Sequence, residues 1–154
     1  MADYFTNFSF VLPLPGKDAQ TYGLGLAKQA TEARDSGNPA ADFPKALAAA
    51  IDDWWFDAAF ESDLRKSGLW LTSTTGGLEA VCAYVQHLLR KFDPEGRVGF
   101  EWSHDCSKPR LDAFGGGAAL ITARKIKTMS TGEWLRKQTV ARTRHQPHAQ
   151  KGEA

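Results

Sequence analysis

Leu78-Glu79-Ala80-Val81-Cys82-Ala83-Tyr84-Val85-Gln86-His87-Leu88-Leu89-Arg90-Lys91-Phe92 is the stretch from which the fold of this chain is read. Leu78, Val81, Cys82, Val85, Leu88, Leu89 and Phe92 recur every three or four residues, so a helix over 78–92 turns one apolar stripe toward a core. Asp93-Pro94-Glu95-Gly96 ends it with a strong turn signal. Behind that turn Val98, Phe100 and Trp102 alternate as a strand. Ahead of the helix, Leu69-Trp70-Leu71-Thr72-Ser73 reads as another strand.

Working outward, Tyr4 to Leu12 alternates and is ended by Pro13 and Pro15, which defines a first strand. Ala19, Tyr22, Gly23, Leu26, Ala30 and Ala33 then follow helical spacing, so 17–35 is an amphipathic helix; Gly23 and Gly25 weaken it or let it lie close against a sheet. Asp42 is placed to cap a short helix that has Pro44 in its first turn and runs to Asp53. Trp55 to Ser62 alternates Phe56, Ala58 and Phe60 as a strand whose hairpin partner is Leu69–Ser73. Beyond Trp102, residues 118–128 read as one further strand. Ser130 and Glu133 have capping-box spacing for a last helix that carries Trp134 and Leu135.

The expected fold class is α+β, with an antiparallel sheet of about five strands and helices on one face. Its centre is a ferredoxin-like β-α-β-β-α-β pattern, to which a C-terminal strand and helix are added. The second sheet face carries Phe5, Val11 and Trp70 and is a candidate interface. Residues 1–140 form a single domain in this reading, and 141–154 a flexible basic tail.

A chain of 154 residues can bury a core without staples. No apolar run approaches the roughly 20 residues that cross a bilayer. Met1-Ala2-Asp3-Tyr4 has no basic segment followed by an apolar one, which sets a cytoplasmic expectation and no membrane partner. Cys82 and Cys106 are too few for a disulfide framework, and His87, His104, His145 and His148 are scattered, so no metal and no cofactor are expected. Residues 124–154 hold eight Lys/Arg against two Glu, a net of +6. The remainder holds eleven against sixteen, a net of −5. The tail lacks the interleaved aromatics of a single-strand platform, so nucleic acid is not the expected partner.

Reactive side chains crowd between Phe100 and Gly117. If the strand continues past Trp102, His104 and Cys106 share one face, and Ser103 and Asp105 the other. A thiol and an imidazole on one face suggest a nucleophile and base, but such dyads take their orientation from a third group on another element. Lys108 and Arg110 flank Pro109, and the amides of Gly115, Gly116 and Gly117 lie nearby, a set suited to a phosphate or carboxylate. No P-loop spacing accompanies them, and glycines here also let a strand start beside a ring such as Phe114. Trp54 and Trp55 cannot both face inward, so one is a surface aromatic. The candidate binding residues are therefore His104, Asp105, Cys106, Lys108, Arg110, Gly115, Gly116, Gly117 and Trp55, with no catalytic set assigned.

Asp3-Tyr4-Phe5-Thr6-Asn7-Phe8-Ser9, Gly99-Phe100-Glu101-Trp102 and the run from Cys106 to Ala118 resemble a family of small uncharacterised proteins carried on bacterial phages, plasmids and integrated elements. The resemblance covers residues 3 to about 140 and carries over no catalytic residues. It implies a setting in which small proteins bind and block a host component, including defence nucleases; surplus tryptophan, the second sheet face and the absence of a coherent catalytic set make a non-enzymatic module that binds a protein partner or its own copy the leading expectation, in the role of an inhibitor of a host defence system. The alternative is a small enzyme or an anion- or ligand-binding domain using the 104–117 loop.

Overall fold

In the computed structural model the described residues are 1–61 and 68–144. Strand β1 (Tyr4–Pro13) leads into helix α1 (Gly16–Ser36), the single turn α2 (Lys45–Ala48) and a 3-10 turn, Ile51–Asp53. There follow β2 (Asp57–Glu61), β3 (Gly68–Ser73), α3 (Leu78–Phe92), β4 (Arg97–Cys106), β5 (Gly115–Thr122), β6 (Ile126–Ser130) and α4 (Thr131–Arg144). The strands form one open antiparallel sheet in the order β2-β3-β1-β4-β5-β6.

Alternation sets the two faces. Phe8, Leu12, Leu69, Leu71, Val98, Phe100 and Ile121 are buried together with the apolar stripes of α1 and α3. Ser9, Trp70, Glu101 and Leu120 point the other way and are exposed. Gly23 brings α1 close, because a Cβ there would meet the side chains of Leu69 and Tyr84. The Tyr84 hydroxyl uses this proximity and donates to the Gly23 carbonyl at 2.8 Å. Trp54 packs edge-on against Tyr84 with ring centroids 5.4 Å apart.

The sheet has six strands and not the expected five or so, because the run 118–128 is broken. Its turn, Ala123-Arg124-Lys125, contains no glycine, proline or asparagine to announce it. Thr122 makes the turn by accepting the Lys125 amide on its hydroxyl at 3.0 Å, while its own amide donates to the Lys125 carbonyl at 2.9 Å. Helix α3 completes it, with Gln86 donating to the Thr122 carbonyl at 3.1 Å and Arg90 to that of Ala123 at 2.7 Å. At the other boundaries β2 starts at Asp57, and the helix read through Asp53 is a turn of α-helix and a 3-10 turn. Helix α4 runs to Arg144, past Val140 where fraying was expected. The rest of the basic tail, 145–154, lies outside the described residues.

Helix α3 is capped from elsewhere in the chain. One Asp53 carboxylate oxygen accepts the amides of Glu79 and Ala80 at 3.0 and 3.1 Å. Those amides have no partner within the helix, and the carboxylate also sits at the positive end of its dipole. Replacing Asp53 with alanine should cost about 1 kcal/mol, within the range for lost caps, whereas asparagine should retain most of it. Urea midpoints for the three proteins at fixed m would check this.

At the α1–α3 contact the Tyr22 hydroxyl and His87 Nε2 are 2.9 Å apart, and Lys91 Nζ lies 4.8 Å from the Tyr22 ring. Burial holds the His87 pKa below its ordinary 6.5, and Lys91 and Arg90 push it the same way. The folded protein therefore refuses a proton that the unfolded chain accepts. Its contribution to stability is whole above pH 6.5 and is lost as pH falls toward the depressed value. Thermal midpoints measured from pH 7 to 5 should fall, and His87→Gln should flatten that part of the profile.

Candidate functional site

Strand β4 continues through the reactive segment, so His104, Asp105 and Cys106 are strand residues paired with β1 at Thr6, Phe5 and Tyr4. His104 and Cys106 do share a face. They are nonetheless in different environments. His104 is exposed, with Nδ1 3.0 Å from the Thr6 hydroxyl, whereas Cys106 is buried. No hydrogen bond joins the two side chains among the described residues. Asp105 accepts the Cys106 amide at 2.7 Å.

The loop after β4 is tied at its base, where Ser107 and Asp3 exchange two hydrogen bonds of 2.9 Å, one of them through the Ser107 hydroxyl. From Ser107 to Asp112 every residue is exposed, including Lys108 and Arg110. Neither cation is in an ion pair among the described residues. Asp112 adopts a left-handed φ of 58°, a conformation that aspartate tolerates better than most residues.

The three glycines belong to β5 and are shaped by packing. A Cβ on Gly116 would meet the Trp102 carbonyl, and one on Gly117 would meet both the Met129 carbonyl and the Trp102 indole. The ring that Gly117 accommodates is thus Trp102 and not Phe114, which is exposed. Gly116 is held further by Thr131, whose hydroxyl accepts its amide and donates to its carbonyl, both at 3.1 Å.

Trp55 is joined to this end of the sheet. It is 51 % exposed while Trp54 is fully buried, as their adjacency requires. The Arg34 guanidinium lies 4.3 Å from the centre of its ring, and its indole nitrogen donates to the Asp52 carbonyl at 3.1 Å. Its carbonyl accepts from Ser73 at 2.7 Å and from Thr75 at 3.2 Å. Thr6 in turn bonds through its backbone to Thr74 and Gly76, and through its side chain to His104. One seam of hydroxyls therefore runs from Trp55 to His104, and Lys108 and Arg110 stand beyond it on the loop.

A groove of about 380 Å³ was not legible in the sequence. It lies on the helix side of the sheet, between α3, β4, β6 and the start of α4, with walls that include Leu78, Cys82, Trp102 and Ile126 and a rim that includes Glu79 and Glu133. Burial, followed by the carboxylates of Asp53 and Glu79, raises the Cys82 thiol to a pKa of about 11, so it is an inert wall at neutral pH. The Trp102 indole N–H is buried without an acceptor among the described residues. The groove exists because β6 turns back beside β5, and that turn carried no conventional signal.

Among the described residues no group of three or more His, Cys, Asp or Glu is arranged to hold a metal, and no helix is long and apolar enough to cross a membrane.

Gly117→Ala should destabilise the fold by about 2 kcal/mol, since neither a backbone carbonyl nor a packed indole can yield cheaply. Gly99→Ala, whose Cβ would sit 3.5 Å from the nearest atom, should stay within about 0.5 kcal/mol. Chemical denaturation of both variants would separate a packing role for the triplet from a ligand-binding one.

In comparisons with known proteins, the chain matches no family model, no curated protein and no solved structure.

Proposed function

We propose that the protein is a non-enzymatic protein-binding module whose contact surface is the open face of its sheet. The observation that carries this reading is that face itself, where Phe5, Trp70, Leu120 and Met129 are exposed on strands of a sheet whose helices α1 and α3 pack on the opposite side. Trp70 is held for contact, its indole nitrogen donating to the Ser9 hydroxyl at 2.8 Å. A rigid aromatic of this kind loses little entropy on binding and is favoured at interface centres. Asp57, Glu101 and Asp105, together with Arg97 and Lys127, lie on the same face by strand alternation and are exposed.

The mixture of exposed aromatic, apolar and oppositely charged side chains suits a protein surface with complementary apolar and charged groups. Joined to the resemblance to small proteins of phages, plasmids and integrated elements, this supports a role as an inhibitor of a host defence system, acting in the cytoplasm. Two cysteines outside any disulfide agree with that compartment. We read β1 to β4 with α1 and α3 as a ferredoxin-like unit extended by β5 and β6. What supports this is that β3 lies between β1 and β2, and β1 between β3 and β4, as in two interleaved split β-α-β units.

A second reading, anion binding at the 104–117 loop, is favoured by Lys108 and Arg110, two exposed cations flanking a rigid proline with no acid paired to either among the described residues.

Affinity capture from bacterial host lysate should recover a specific protein, and Trp70→Ala should weaken that capture about tenfold or more while Cys106→Ser leaves it unchanged. Recovery of no specific partner, or capture that follows Lys108 and Arg110 and is indifferent to Trp70, would sink the sheet-face reading.

A further inference from the structure

The turn between β5 and β6 is fastened from several sides and carries two cations. The Thr122 hydroxyl accepts the amides of Arg124 and Lys125 at 3.4 and 3.0 Å and donates to the Lys125 carbonyl at 3.2 Å, while Gln86 and Arg90 hold the turn from α3. Glycine, asparagine and proline are the usual residues of such a connection, and Ala123-Arg124-Lys125 contains none of them. Its tip is given instead to two long basic side chains, both exposed. The backbone bonds that fix the turn leave those side chains in a defined place.

The surroundings have the same sign. Register sets Arg97, the first residue of β4, opposite Thr122; Arg90 and Lys91 end α3, and Lys127 is the second residue of β6. Six Lys/Arg therefore gather at this end of the sheet against Asp93 and Glu95, and none of the six is in an ion pair among the described residues. Arg90 and Lys91 also complement the dipole of α3, but the other four stand on strands and a turn where no such role exists. Between the α3–β4 turn and the β5–β6 turn is a cleft of about 180 Å³ whose lining includes Arg97 and Arg124 together with Glu95. It is smaller than the sites that enclose an organic ligand and of a size for a phosphate group. We propose that this end of the sheet binds the phosphate backbone of duplex nucleic acid, with Arg97, Arg124 and Lys125 on the phosphates and Arg90, Lys91 and Lys127 widening the positive field.

The composition of the patch favours this partner over other polyanions. No large apolar side chain of the two turns is exposed, so an acidic protein would find no anchor of the kind that interface centres rely on. Contact with a phosphate backbone needs only cations and donors, and the planar fork of arginine matches phosphate oxygens. An anionic lipid surface draws in basic segments of any shape, whereas here two arginines line a recess between fixed turns. The absence of stacking rings tells against a single strand and is no obstacle to a duplex, whose bases are paired inside it. The inference does not rest on the sheet-face reading, since Arg124 and Lys125 stand on the turn and Trp70 lies in β3 beyond β1 and β4.

Anisotropy of labelled short duplexes of mixed sequence, DNA and RNA, titrated with the full chain over a series of salt concentrations, tests it. Binding is expected in the range of about 10⁻⁴ to 10⁻⁶ M typical of sequence-independent contacts, and it should weaken steeply as salt rises. Arg124→Glu with Lys125→Glu should weaken it about tenfold or more and make the slope of log affinity against log salt shallower by about two. The hydrogen bonds of the turn use the backbone of these residues, so far-UV circular dichroism should be retained. Lys28→Glu with Lys45→Glu, exposed positions on α1 and α2, changes net charge equally and should have a far smaller effect. Tighter binding by Glu95→Gln would add direct support for the cleft. Absence of duplex binding at low salt overturns the inference, as does an equal loss with the two paired substitutions. Binding to phosphatidylserine vesicles or to polyglutamate in preference to either duplex overturns it as well.

Discussion

The contact of Phe8 and Phe10 with Phe100 across the β1–β4 seam is the interaction on which the rest of the structure depends. The β1–β4 ladder pairs Tyr4 to Asn7 with Ser103 to Cys106, at one end of the two strands. Farther along, Phe10 and Phe100 stack at 4.4 Å, nearly parallel, and Phe8 lies 5.4 Å from Phe100. These rings join β2-β3-β1 to β4-β5-β6, and α1 and α3 share the buried cluster that the rings enter. Aromatic pairs contribute about 0.5–1.5 kcal/mol beyond the area they bury, and here they also set which face of both halves is inside.

Once that face is set, the chemistry of the chain sorts by parity. His104 and Cys106 fall on the helix side near its rim, Asp105 and Ser103 on the open side, and no shift of one residue is available without turning Phe100 to solvent. The cluster that reads as reactive along the sequence is thereby divided between two surfaces. What remains continuous is a seam of hydroxyls from Trp55 to His104, which orders the sheet end, and a basic corner at Lys108 and Arg110 in solvent. Cys106 is buried there, and His104 is engaged with the Thr6 hydroxyl.

Local signals were strong where one face of one element met the core. Helix α3 has the bounds its stripe predicts, β1 alternates as read, and Ser130 caps α4 at the expected spacing. They were weak where the deciding group lay on another element. The turn after Thr122 is built by that threonine together with Gln86 and Arg90 of α3, so 118–128 reads as one strand. Within the glycine triplet, the groups that leave no room for a side chain at Gly116 and Gly117 are Trp102 and Met129, which come from the adjacent strands. Asp53 has no local mark as the cap of a helix that starts 25 residues later.

The amino-acid sequence by itself determined the α+β class, the main helices, the alternation of the strands and the exposure of one of the two adjacent tryptophans. These follow from periods of 3.6 and 2 residues and from the sterics of neighbouring side chains. Only the tertiary structure decided that the sheet has six strands in the order β2-β3-β1-β4-β5-β6, that Trp102 lies over Gly117, and that an apolar groove opens beside the start of α4. Each of these depends on contacts between residues far apart in the chain, whose distance and direction are set by packing and not by spacing along the sequence.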